Sequence, residues 1–381
     1  MFAWIPFFLF IYTALRLIVP LPISLYAKAA CVAALLVPAL KQWVFVHFGG
    51  SYFSPELPAK LIVFYGAAFG VLFLMFALTF LRDVAMVVLA AVRLVRPSVP
   101  QIAHTVRTAL IFTAAACAVS IYGTYMAESM PRVVEKTVAI PRLPREFEGF
   151  RVLLLSDIHV SASRRADYAR KIAEQANDVS ADLILITGDF IDGTVEARSA
   201  DIAPLAALSA PYGVYGILGN HEYYFGARVW KDFIEQKLSI KILQNEHVMV
   251  ERDGAQLAVA GVADAASLRF PGEEPPDPAK ATSGIPAGTP IIILDHQPGR
   301  AAKNAATGAD LQLSGHTHGG MVPGLTTVIK RFNSGYVRGW YNVRGMKLYV
   351  SPGTGIWNGF MLRIGVPAEM TVMRLTRGGG R

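Results

Sequence analysis

Residues 311–321 read LQLSGHTHGGM. An apolar, strand-like run stops at Gly315 and delivers two histidines, His316 and His318, with one threonine between them. Four runs of the same kind precede it: RVLLLSDIH from 151, ADLILITGD from 181, VYGILGNHE from 214 and IIILDH from 291. Each is rich in Leu, Ile or Val and each ends in polar residues. Continuous apolar runs of this length are the pattern of strands buried on both faces. Helical patterns lie between some of them, at 164–178 and 228–238. The spacing predicts an α/β domain over residues 148–375.

The residues that end the runs form a set. Asp157 and His159 close the first, Asp189 the second, Asn220 and His221 the third, His296 the fourth, and His316 and His318 the fifth. Five of the chain's eight histidines are used in this way; His47, His104 and His247 lie elsewhere. Strand carboxyl ends of open α/β sheets converge on one crevice, where ligands bind. The donors brought there are carboxylate, imidazole and amide oxygen without thiolate, a set that suits Mn, Fe, Zn or a similar divalent ion. Any one ending has a bland explanation, since a GD after a strand is commonly a turn or a helix cap. Five in this order, each after an apolar run, do not.

The ordered set D-x-H, GD, GNH, H and GHxH resembles the calcineurin-like metallophosphoesterase family over about residues 148–375. More closely, the chain is similar to a bacterial phosphodiesterase branch in which this domain, an α/β sandwich, follows an N-terminal membrane region. SPGTGIWNGFMLRIGVPAEMTVMRL (351–375) resembles that branch's closing segment, departing from it at NGF and at VPAEM, where an arginine usually precedes the proline. The resemblance implies two metal ions. Asp157, His159 and His318 would hold the first, Asn220, His296 and His316 the second, and Asp189 would bridge them. On an extended chain His316 and His318 would point the same way, so one tripeptide serves both ions. Two cations acidify a shared water, and the resulting bridging hydroxide attacks phosphorus in line. His221 is left for catalysis, to stabilise the transition state or to protonate the leaving oxygen. Glu222 is expected to cap the following turn rather than to orient His221. Asp192, Asp264 and Asp295 are expected to be structural, and His247 a strand surface residue.

Outside this domain the composition changes. The chain is 53% hydrophobic, too apolar for an ordinary soluble protein. Four long apolar segments, near 2–19, 29–48, 61–81 and 108–126, approach the ~20 residues that span a bilayer. Arg16 and Lys41 interrupt the first two, near enough to helix ends for their charges to snorkel. Trp4 and Trp43 suit an interface belt or a core equally. The pattern predicts a four-helix transmembrane region over residues 1–127, a linker with one strand over 128–147, and a tail over 376–381. Ala27 and Ala29 offer small residues for signal cleavage, but no basic region precedes the first apolar run, so no cleavage is expected. The connection between the third and fourth segments carries Arg82, Arg93, Arg96 and Arg107 against Asp83, marking it as cytoplasmic. Residues 83–95 either continue the third helix or lie along that surface. The catalytic domain is then expected outside the cytoplasm of a bacterial cell membrane.

The net charge of +8 includes no run of basic residues and no aromatic–basic interleaving, which argues against a nucleic-acid partner. Cys31 and Cys117 both sit in apolar stretches and leave no disulfide framework. The expected partners are the membrane and a phosphate ester, with anchoring favouring a lipid-linked or envelope substrate. A second reading makes the helices a transporter or sensor with the α/β domain as its regulatory module, on the strength of Arg16, Lys41 and the Arg82–Asp83 pair. It requires a degenerate ligand set, and no ligand is missing. A hydrolase facing the cytoplasm is the third. Residues 271–290, rich in Pro and Gly, are expected to form a surface loop.

Overall fold

A computed structural model describes residues 4–100, 102 and 105–378. His104, the first residues of the 2–19 segment and most of the closing RGGGR tail lie outside the described residues. The chain divides into two compact units. One runs up to Met126 and takes in Asn358–Leu362; the other comprises Ala127–Trp357 and Arg363 onward.

The first unit is helical. Helix α1 (Ile5–Thr13) continues into a π-helical turn at Ala14–Ile18. Helix α2 (Leu25–Ala39) begins where the Ser24 hydroxyl accepts the Ala27 N–H at 3.2 Å. It meets α3 (Lys41–Gly49) at a bend of 49°, just after Pro38, which lacks the N–H of a regular helix residue. Helix α3 stops at Gly50, whose φ of +74° reverses the chain. Helices α4 (Ala59–Arg93) and α5 (Val106–Glu128) complete the unit.

The expected four spans need correction. Among the described residues two helices, α4 and α5, are long and apolar enough to cross a membrane, or three spans if the bent α2–α3 pair counts as one. The Ile5–Ile18 helix is too short by this measure, because Pro20 and Pro22 end the helical run that the apolar composition of 2–19 suggested. Residues 83–93 continue the third apolar helix rather than leaving it. The charges that interrupt the apolar segments have partners. Asp83 accepts from Tyr12 Oη (2.9 Å), Arg16 Nε (2.7 Å) and Arg82 Nη2 (2.7 Å). Lys41, fully buried, donates to the carbonyls of Asn358 and Gly359 and lies over the rings of Phe45 and Phe69. Trp4 and Trp43 are both exposed, and His47 stacks on Trp43.

The second unit is an α/β sandwich of two mixed six-stranded sheets. The strands are β1 (Arg132–Ala139), β2 (Arg151–Leu155), β3 (Leu183–Ile186), β4 (Val214–Gly216), β5 (Lys241–Ile242) and β6 (Glu246–Arg252). They continue with β7 (Ala255–Gly261), β8 (Ile291–Leu294), β9 (Leu311–Ser314), β10 (Gly339–Val343), β11 (Met346–Val350) and β12 (Glu369–Thr376). One sheet has the order β1-β12-β2-β3-β4-β5, the other β10-β11-β9-β8-β7-β6. Strands β2 to β5 are parallel, as are β7, β8 and β9. Alternation along a strand assigns each side chain to a layer. Val152 and Leu154 meet Ile292 and Leu313 between the sheets, whereas Leu153 and Leu155 face the layer that contains Ile172 and Trp230. This is why the runs read as continuously apolar: both faces of β2, β3, β8 and β9 are covered.

Residues 128–147 do more than link. Strand β1 pairs along its whole length with β12, so this segment is an edge of the first sheet. The strand expected within this segment is present, with Arg132, Glu135 and Thr137 exposed along it. Within residues 271–290, Pro278–Thr282 forms one short helix, with Ala281 buried.

Candidate active site

Parallel strands β2, β3, β4, β8 and β9 all end at the same edge of the sandwich, and their trailing residues meet there. Asp157, His159 and His318 bring one ligand atom each to within 4.8 Å of one another; Asp189, His296 and His316 do the same. Asn220 Oδ1 lies 3.1 Å from His296 Nε2. All seven residues that the strand endings single out, and His221 beside them, therefore share one locus. Nearly all are buried: Asp157, His159 and His296 are fully so.

The local backbone is unusual. Asp157, His159, Asp189, His316 and His318 all adopt φ between +47° and +69°. Non-glycine residues seldom do so, and such strain gathers at functional sites. It corrects the extended geometry expected for the GHTH stretch. His316 and His318 are left-handed, Thr317 between them is helical at φ −85°, and the pair diverges toward different groups of donors. Glycines permit the crowding. A Cβ on Gly315 would fall 1.8 Å from Ser156 Oγ and 2.2 Å from Asp157 Oδ2, and one on Gly219 would fall 2.2 Å from Asp189 Oδ1.

The surroundings of the histidines fix which nitrogen faces inward. His159 Nδ1 lies 2.9 Å from Asp192 Oδ1, and His296 Nδ1 lies 2.7 Å from the Thr187 carbonyl. An Nδ1 proton pointed outward would leave the Nε2 lone pair for a cation at the centre. Among the protein groups alone, burial acts to lower the His296 pKa, but the charge of Asp189 outweighs that effect and sets it well above its ordinary value. At the centre the Nε2 atoms of His159 and His318 face each other at 3.3 Å, and Asp189 Oδ2 is 3.2 Å from His296 Nε2 and 3.7 Å from His159 Nε2. Lone pairs and carboxylate oxygens converging in a buried space are a donor set in want of a cation. Burial lowers the His316 pKa to about 3, reinforced by neighbouring His296, and burial likewise holds His318 well below its ordinary value. Both are therefore neutral imidazoles, the form that ligates a metal. Burial acts to raise Asp189, but the positive charge of His296 and His221 outweighs it and keeps that carboxylate ionised.

Four residues that the strand-end pattern did not single out complete the site. Asp192, expected to be structural, holds His159 and also His221, whose Nδ1 lies 2.5 Å from the same Oδ1. Its only mark in the sequence is a carboxylate three residues after Asp189. Tyr224 and Trp357 place rings 5.5 and 6.0 Å from the His221 ring. Arg363, buried, donates to the carbonyls of Pro352 (2.9 Å), Gly355 (2.6 Å) and Val366 (3.2 Å), bracing the loop that backs Asp157 and His318. An arginine inside an apolar run was its available signal. Glu222 does cap its turn, accepting the Gly219 N–H at 2.7 Å, and it also accepts the N–H groups of Asp189 (3.0 Å), Phe190 (2.8 Å) and Ile191 (3.3 Å). Asp264 and Asp295 stay outside the donor groups, hydrogen-bonded to Gln297 and Asn304 respectively. His247 is half-buried on β6 with Nδ1 3.0 Å from the Ala281 carbonyl.

Residues 150–320 match the model of the family described as calcineurin-like phosphoesterase. The chain is 34% identical over 273 residues to a transmembrane protein with metallophosphoesterase domain from Danio rerio, covering 69% of this chain and 61% of that protein. It is 32% identical over 271 residues to a metallophosphoesterase of Campylobacter jejuni, covering 70% of each. The chain thus spans about three-fifths of the zebrafish relative's length. Among solved structures, it is similar to a 5'-nucleotidase precursor from Thermus thermophilus, with a TM-score of 0.39 and 17% identity, covering 59% of this chain and 54% of that one.

Proposed function

The chain belongs to the calcineurin-like metallophosphoesterase family, metal-dependent hydrolases of phosphoric esters, and on that footing we propose a membrane-anchored, dinuclear phosphodiesterase or pyrophosphatase. One observation carries the reading. Two groups of ligand atoms, Asp157/His159/His318 and Asp189/His296/His316, buried except for the half-buried His316, adjoin through Asp189 and His159, which also form a third group with His221. Asp157, His159 and His318 would hold one divalent ion, His296, His316 and Asn220 the other, and Asp189 both. Mn, Fe and Zn all accept these donors. A bound pair supplies Lewis acidity, acidifying water at neutral pH and neutralising charge on the phosphoryl oxygens.

The chain's own residues do the rest. His221 stands beside both groups with its Nδ1 fixed by Asp192, so its Nε2 is the atom that can give a proton to the leaving oxygen. Burial acts to lower its pKa, but the carboxylates of Asp189 and Asp192 raise it to about 9, so the proton is in place at neutral pH. The rings of Tyr224 and Trp357 flank His221 and offer a surface for the group that leaves.

The anchoring and the side of the membrane follow from α4 and α5. Their connection carries Arg93 and Arg96, with Arg107 at the start of α5, a bias that marks the cytoplasmic side. Residues after α5 then lie across the bilayer, whatever the number of spans before α4. A catalytic unit on the outer face favours a lipid-linked or envelope phosphate. Assay of the purified chain with Mn²⁺ on bis(p-nitrophenyl) phosphate tests the chemistry. Turnover is expected, with a loss of at least ~10²-fold in Asp189→Asn, comparable to losing other electrostatic contributors to a transition state. Full activity in that variant would rule the proposed centre out.

A further inference from the structure

Within the helical unit, α2, α4, α5 and the segment after α1 enclose an apolar groove of about 530 Å³. Its volume is that of a ligand site, within the usual range of ~300–1,000 Å³. Leu17, Leu21, Leu35, Met75 and Ala109 line it, and the one hydroxyl there, Thr113, is spent on the Ala109 carbonyl of its own helix at 2.9 Å. Apart from the Cys31 thiol, the walls therefore offer a ligand hydrocarbon.

One end of the groove is basic on each of its three helical walls. On α4, Arg82 lies seven residues past the groove residue Met75, so the 3.6-residue repeat returns it to the same face. On α2, Lys28 lies one turn before the groove residue Cys31, and on α5, Arg107 lies one turn before the groove residue Leu110. Hydrogen bonds set these three at a common level. Ser120 Oγ donates to the Ala67 carbonyl at 2.7 Å, and counting along the antiparallel pair from that contact puts Arg107 beside the turn that ends at Arg82. Arg82 Nη2 donates to the Arg16 carbonyl (2.8 Å) and Lys28 Nζ to the Val19 carbonyl (2.7 Å), one turn apart on the same segment. Arg16, its side chain half exposed, adds a fourth cation. Asp83 is the single carboxylate paired with this collar, while Lys28 and Arg107 have no acidic partner among the described residues.

We propose that the helical unit binds one anionic phospholipid, with an acyl chain in the groove and the phosphate at the collar, met by Lys28, Arg107 and Arg16, while the buried Arg82 braces the collar through Asp83 and the Arg16 carbonyl. A chain without charge would gain only the groove, and a soluble phosphate only the collar; a phospholipid fills both. The site lies wholly within the helical unit and stands whether or not the phosphoesterase reading does.

The full chain, purified into nanodiscs of phosphatidylcholine with or without phosphatidylglycerol, provides the test. Native mass spectrometry after release into detergent should show phosphatidylglycerol retained over phosphatidylcholine by about tenfold, equivalent to ~1.4 kcal/mol. The double variant Lys28→Gln/Arg107→Gln, altering one half-buried and one exposed side chain, should retain both lipids equally. Ala34→Phe, which narrows the groove from its exposed rim, should lower retention of either lipid. Equal retention by the unaltered chain, or an undiminished preference in the double variant, would overturn the site. Displacement of the lipid by inorganic phosphate alone would also overturn it, since the acyl chain would then contribute nothing.

Discussion

At the scale of single residues, the informative side chain is Asp192. Its Oδ1 is shared between a candidate ligand, His159, and the candidate acid, His221. Burial acts to raise its pKa, yet the imidazoles of His159 and His221 bring it down to about 2, so it is an anion at any working pH. Asp192→Asn keeps the shape and removes that charge. Two outcomes are expected together. Metal affinity should fall ~10–100-fold, the usual cost of losing a carboxylate behind a ligating histidine, measured by titration of the metal-free protein. The titration of His221 in the metal-free protein, followed by NMR, should also move. His221 with a raised pKa keeps its proton below about 9 and loses it as the pH rises through that value. Without the Asp192 charge the titration should shift down toward the ordinary imidazole value near ~6.5. A metal defect with an unmoved titration would assign Asp192 to His159 alone.

At the scale of elements, Glu222 joins two strand-end loops that the chain separates by about thirty residues. Its carboxylate takes one N–H from the β4 loop and three from the β3 loop, and so sets the spacing between Asn220 and Asp189. Burial, then the charge of Asp189, pushes its carboxyl up to about 8, and the N–H donors pull the other way. Glu222→Ala orphans these donors at ~1–3 kcal/mol each, so a loss of several kcal/mol is expected in denaturant unfolding, with Glu222→Gln intermediate. An unchanged midpoint would show that the loops hold their spacing without the clamp. What was legible in the sequence divides along similar lines. Strands buried on both faces announce themselves as apolar runs, and helices 166–178 and 227–238 by periodicity, because burial dictates composition there. The candidate ligands were legible because strand ends need no histidine for packing. Strand β1 was legible only as a strand within a linker; its pairing with β12, more than two hundred residues on, was not. Nor was the left-handed backbone of His316 and His318, which depends on contacts distant in sequence. The role of Glu222 as a clamp is of the same kind: three of its partners lie on another strand's loop.

At the scale of the molecule, what matters is how the chain is held at a membrane. Helix α4 has 35 residues, ~52 Å at 1.5 Å per residue, so it is longer than the ~30 Å of hydrocarbon that one crossing requires. Its apolar stretch and its basic end tell its two ends apart. Arg82 and Asp83 are paired with Arg16 and Tyr12 rather than left alone in hydrocarbon, and Arg93 and Arg96 lie beyond them. On the proposed orientation the positive bias puts that end in the cytoplasm, and α5 would return the chain to the opposite side. This inference is independent of whether α2 and α3 form one span, because only α4, α5 and the loop between them enter it. A cysteine tests it. With Cys31 and Cys117 changed to Ser, Lys303→Cys introduces one thiol on an exposed helix of the sandwich, away from the candidate ligands. A membrane-impermeant maleimide should label it in intact cells, or in spheroplasts if an outer envelope blocks entry. Labelling that appears only after lysis would put the sandwich in the cytoplasm and would remove the physical ground for an envelope substrate, while leaving the metal centre as it stands.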